Sequence, residues 1–157
     1  MSKKRKKSKA APRPDVWDGM SRAQWDDLAE YVREVANRIE LRDWAFRLDR
    51  LPLGTKDDDR DAYAMVTVVY GRKLARIAFC HEWNTIAADE RRHVVVHELL
   101  HCHVNQVHIL LSNQLPSMIG DHAWEPINQS IRFQTEHIVD ALADALAPHM
   151  PTIRTIP

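Results

Sequence analysis

The segment His97-Glu98-Leu99-Leu100-His101 sets two imidazoles four residues apart, with a carboxylate directly after the first. On a helix, positions i and i+4 share one face a turn apart, so both rings can reach a single metal ion. Glu98 then stands where its carboxylate can take a proton from a metal-bound water, and this HExxH arrangement is the sequence form of a zinc hydrolase site. No Gly or Pro interrupts residues 89–111, and the spacing predicts a helix there. Val94, Val95, Val96, Leu99 and Leu100 make that helix largely apolar, a setting in which two histidines and a glutamate are costly to bury without a partner such as a metal.

A zinc site that performs hydrolysis needs a third protein ligand and an open fourth position. Glu136 is the leading candidate. Residues 134–147 read as a second amphipathic helix, with Ile138, Val139, Leu142, Ala145 and Leu146 on its apolar face and Pro148 ending it. Asp140 lies one turn after Glu136 and is placed to orient a ligand imidazole from behind. His122, in the expected loop Gly120-Asp121-His122-Ala123-Trp124, is the alternative third ligand, for a three-histidine site, or else a pocket residue. His103 and His108 are expected to point to other faces than His97 and His101. The longer HExxHxxGxxH pattern is absent, because Val104 and Val107 occupy its Gly and third His positions.

The elements that must position these residues can be read upstream. Ser21-Arg22-Ala23-Gln24 forms a capping box opening a helix to about Glu40, with Trp25, Leu28, Val32, Val35 and Ile39 along one stripe. Trp44–Leu51 alternates as a strand, and a polar loop, Gly54–Arg60, follows it. Tyr63–Tyr70 and Ala75–Phe79 read as a hairpin about Gly71-Arg72-Lys73. The expected fold is α+β: an N-terminal helix, a three-stranded sheet, the HExxH helix and a downstream helix carrying the third ligand.

The pairing of His97-Glu98-Leu99-Leu100-His101 with a later Glu136 and Asp140 resembles the gluzincin group of zinc metallopeptidases. Within that group the short chain and the ending Glu136–Pro148 are similar to the minimal ImmA/IrrE-like metallopeptidases and related small phage-encoded proteins, over roughly residues 21–148. The resemblance implies a minimal zincin-like domain, Zn2+ held by His97, His101 and Glu136, Asp140 supporting a zinc histidine, and hydrolysis of peptide bonds in a protein substrate with Glu98 as general base. It also implies that an edge strand beside the metal helix, with Arg76–His81 as the candidate, holds the substrate by strand addition. The rival readings are a catalytically silent zincin-fold binding or structural protein, such as a phage accessory protein, and a DNA-associated protease resembling the SprT-like group with His122 as third ligand.

With 157 residues, 45% of them hydrophobic, the chain suits a single domain over residues 15–150, followed by a C-terminal tail, 151–157. Residues 1–14 form a basic tail without an apolar core, unlike a secretory signal, so a cytoplasmic location is expected, the host cytoplasm if the protein is phage-encoded. Seven of the 22 basic residues lie between Lys3 and Arg13, leaving 15 against 22 acidic ones in the remainder. That tail is a candidate contact for nucleic acid, whereas the acidic remainder is not, and no membrane partner is expected. Cys80 and Cys102 lack metal or disulfide spacing and read as reduced thiols near the core. Trp83 and Trp124, flanked by polar residues, are candidate pocket walls.

Overall fold

A computed structural model describes residues 16–17, 20–51, 63–80 and 82–153. The basic tail, the Gly54–Arg60 loop, His81 and the last four residues lie outside the described residues. Two short strands, β1 (Val16–Trp17) and β2 (Met20–Ser21), pair antiparallel and lead into α1 (Arg22–Arg38). The predicted capping box is present: the Gln24 N–H donates to the Ser21 hydroxyl, and the Ser21 N–H donates to the Gln24 side-chain carbonyl. This satisfies two main-chain donors that a helix start leaves unpaired. The stripe predicted for this helix turns inward, with Leu28, Val32 and Val35 buried and Trp25 and Ile39 packed at the core's edge.

Three strands follow, β3 (Ala45–Arg50), β4 (Ala64–Val69) and β5 (Leu74–Phe79). β4 and β5 form the predicted antiparallel hairpin, and β3 joins β5 in parallel, giving the order β3-β5-β4. The central strand buries Ala75, Ile77 and Phe79 on alternate positions, and Phe79 packs against Trp83 with ring centroids 4.6 Å apart. Trp83 is therefore core, and it also lines a pocket of about 380 Å3 with Met20, Tyr31 and Ile153, away from the histidines.

Two long helices complete the fold, α2 (Ala88–Ile119) and α3 (Asp121–Leu146). α2 runs well past the expected end near Leu111, through Pro116, and only Gly120 separates it from α3. Gly120 has φ +82°, a backbone conformation that side-chain-bearing residues rarely adopt, and it reverses the chain in one residue. The predicted loop around His122 and Trp124 is thus the first turn of a helix. Val95, Val96, Leu99 and Leu100 of α2 meet Val139 and Ala143 of α3 in a core shared with α1 and β5. The chain is α+β, as expected. None of its described helices is long and apolar enough to cross a membrane.

The folded part extends past residue 150. Ile153 is buried, and the Tyr31 hydroxyl donates to the Pro151 carbonyl at 2.9 Å. Burial pushes that phenol up to about 12, so it stays a donor at all ordinary pH. Ending the chain at Met150 removes one buried apolar side chain and one hydrogen bond, an expected loss of about 2–4 kcal/mol. Urea denaturation of the shortened and full chains measures it.

Candidate metal centre

α2 carries histidines at 93, 97, 101 and 108, all close to one face because the steps of 4, 4 and 7 residues are near whole turns. His108 therefore belongs to the same face as His97 and His101, contrary to expectation; its spacing of seven from His101 was the available signal. α3 runs antiparallel and presents its own polar face in step. The His93 Nε2–H donates to Asp144 Oδ1 at 3.0 Å, the His97 Nδ1–H to Asp140 Oδ1 at 2.9 Å, and the His108 Nε2–H to Asn128 Oδ1 at 2.7 Å. These tautomers follow from the partners, since an ionised carboxylate only accepts.

At the middle of this ladder, Glu136 Oε2 lies 3.5 Å from His97 Nε2 and 3.6 Å from His101 Nε2, while the two Nε2 atoms are 3.1 Å apart. Ligands about 2.0–2.1 Å from a tetrahedral metal ion sit roughly 3.3 Å from one another, so the three donors have the spacing of one face of such a tetrahedron. The far nitrogens are already engaged: His97 Nδ1 by Asp140, and His101 Nδ1 by Asn105 Oδ1 at 3.2 Å. Both Nε2 atoms are thus left to converge, the outer-shell arrangement that metal-binding histidines need. His97, His101 and Glu136 together could hold a metal ion. The Tyr70 hydroxyl, donating to the His101 carbonyl at 3.0 Å, ties this turn of α2 to the end of β4.

The electrostatics are those of a site wanting a cation. The adjacent imidazoles of His101 and then His97 hold the Glu136 carboxyl well below the usual range. Burial pulls His101 down, but Glu136, Glu98 and Asn105 outweigh it and the ring ends up raised. Glu98 is buried and its carboxyl is pushed up by loss of solvent, only partly opposed by His101 and His97. The Val66 main chain, which lines the same cleft, opposes the rise slightly.

Val66 lies on an edge strand of the sheet. The Cys80 N–H donates to the Tyr63 carbonyl, and hydrogen-bonded pairs alternate along an antiparallel ladder, so Ala64, Val66 and Val68 turn their main-chain groups away from β5. β4 is the strand at the sheet's edge beside α2; β5, which includes most of the predicted Arg76–His81 segment, is central and fully paired. A cleft of about 1180 Å3 opens here, lined by Tyr63 and by Ala64, Met65 and Val66 of β4, His93, His97, Glu98, His101 and His108 of α2, and Arg132, Phe133 and Glu136 of α3.

The structure separates His122 from this cluster. It is exposed on the first turn of α3, fourteen residues and hence about 21 Å of helix from Glu136, and does not line the cleft. Trp124 is buried and does not line it either. His103 does leave the site face, its Nε2–H donating to the Ile39 carbonyl at 2.8 Å. Both cysteines are free; burial raises Cys80 and takes Cys102 to about 12, so neither is a thiolate at neutral pH. Sequence reasoning missed Asn105, although its i+4 spacing from His101 was visible, and Tyr70, whose approach depends on the sheet.

Comparison of the chain with protein-family models, characterised proteins and solved structures finds no match in any of the three.

Two outcomes follow from this geometry. Asp140→Ala and Asn105→Ala should each weaken binding of an added divalent metal ion about 10- to 100-fold without unfolding the protein, measured by competition with a chromophoric chelator. Glu98 has a folded pKa above its unfolded value, so the folded state holds its proton more tightly. Stability then falls as pH rises from about 4.3 through the folded value. Metal-free Glu98→Gln should therefore melt higher than wild type at pH 7, by roughly 2–4 °C per kcal/mol relieved, and the gap should close towards pH 4.

Proposed function

We propose that the protein is a zinc-dependent metallopeptidase that hydrolyses peptide bonds in a protein substrate. The observation that carries this reading is the tetrahedral spacing of His97 Nε2, His101 Nε2 and Glu136 Oε2, with Glu98 buried alongside and a cleft on the remaining side. Two imidazoles and a carboxylate are a hydrolytic zinc donor set, whereas structural zinc sites are closed by four protein ligands. When bound, zinc lowers the pKa of water and polarises a carbonyl.

The chain's own residues supply the rest. Glu98 takes a proton from water and passes it to the leaving amide nitrogen; burial holds its carboxyl above the ordinary range, which strengthens it as a proton acceptor. Asp140 and Asn105 keep the two imidazoles turned so that Nε2 faces the ion. An extended peptide laid along β4 would pair with the outward groups of Ala64 and Val68, and so cross the cleft beside the three donors. The resemblance to gluzincins, and among them to ImmA/IrrE-like metallopeptidases, supports the same reading. A SprT-like three-histidine site is disfavoured by the position of His122. The silent-fold alternative is disfavoured by the retained Glu98, which costs stability and has no part in holding the ion.

Elemental analysis should find about one zinc per chain in wild type and His122→Ala, and little in His101→Ala or Glu136→Ala. Glu98→Gln should keep the zinc while hydrolysis of a fluorogenic peptide library falls by at least about 10²-fold. Loss of zinc only in His122→Ala would replace Glu136 by the histidine. A metal-loaded wild type that cleaves nothing would leave the silent binding protein.

A further inference from the structure

Between Trp124 and Leu146, α3 buries small side chains and leaves most of its large ones out. Thr135, Val139 and Ala143 face the core, whereas Ile127, Ile138 and Leu142, at i, i+11 and i+15, form an exposed stripe with half-buried Ile131 on it. The sequence had assigned Ile138 and Leu142 to the buried face. α2 behaves likewise beyond Cys102, its last buried residue: Val107, Leu110 and Met118 line a second stripe. These six side chains are 39 to 74% exposed. The register that pairs His108 with Asn128 brings Leu110 level with Ile127, so the stripes adjoin. Both lie a quarter to half a turn around their helices from the residues that face the cleft, which leaves them together on the hairpin's back.

The composition of this surface narrows what can cover it. Across residues 103–135 only Asp121, Glu125 and Arg132 are charged, three positions in 33, against 28% for the whole chain. A nucleic acid or an anionic membrane would call for cations, and Arg132 alone supplies one, on the cleft side. A near-neutral apolar face, depleted in charge, complements another of its own kind. It runs about 35 Å from Met118 to the level of Leu142 and about 20 Å across two packed helices. That is the order of the roughly 800 Å2 each partner gives up in a stable dimer.

We infer that the back of the α2–α3 hairpin docks a second copy of this chain. Two hairpins pair about a two-fold axis into a four-helix bundle, with both clefts on the outside. Sedimentation equilibrium of the full chain at about 5–100 µM should give twice the 18.2 kDa protomer mass. Leu110→Glu combined with Ile127→Glu should return it to the protomer mass with unchanged helical circular dichroism, while Phe133→Glu, on the cleft side, should leave the dimer intact. If the Glu pair reduces helicity, Leu110→Gln with Ile127→Gln serves instead. A wild type that is monomeric throughout, including one that binds neutral lipid vesicles through this face, overturns the proposal. So does a dimer that survives the paired substitution or one that Phe133→Glu disrupts equally.

Discussion

The register between α2 and α3 is the constraint on which the candidate site depends. Because both helices repeat every 3.6 residues and run antiparallel, each step of four up α2 meets a step of four down α3: His93 with Asp144, His97 with Asp140, His101 with Glu136. A slip of one residue would rotate a helix by about 100° and carry Glu136 away from both imidazoles. What holds the register is not the polar ladder, whose members other than His101 are partly exposed, but the apolar packing beneath it. Val96, Leu99 and Leu100 lie against Val139 and Ala143, all at most 5% exposed. The single-residue reversal at Gly120 limits the slack from the other end.

Glu98 sits where this packing meets the sheet. A buried carboxylate is unfavourable, and two histidines and the Val66 main chain offset only part of its desolvation. A group held at such a cost beside three convergent donors marks this as the candidate functional site of the fold. Glu98 lies beside Val66 of β4, an edge strand of the sheet, so the candidate site and that edge adjoin.

The hairpin has two unlike sides. Its front concentrates imidazoles and carboxylates, while its back presents branched apolar side chains with almost no charge. An amphipathic pattern wider than the domain can cover arises naturally here. The sheet and α1 shield only the half of α2 that precedes Cys102, and the rest of both helices extends beyond that core.

Much of this was readable from residue order alone, because the information is local. The capping box at Ser21, the hairpin strands and the HExxH turn each depend on residues within a few positions of one another, where backbone geometry leaves little choice. Glu136 and Asp140 were legible as one helix face for the same reason. Three features were not local and were misjudged or missed. The parallel pairing of β3 made β5 central and moved the edge to β4; helix packing turned Ile138 and Leu142 outward; and the continuation of α2 to Ile119 put His122 far along a helix instead of in a loop over the site. Residue types and their spacing along single helices were determined by the sequence itself. Which helix faces meet, which strand is left at the edge, and therefore which of the candidate ligands share a metal-sized space, were decided by burial of apolar area between distant segments, and only the tertiary structure carries that outcome.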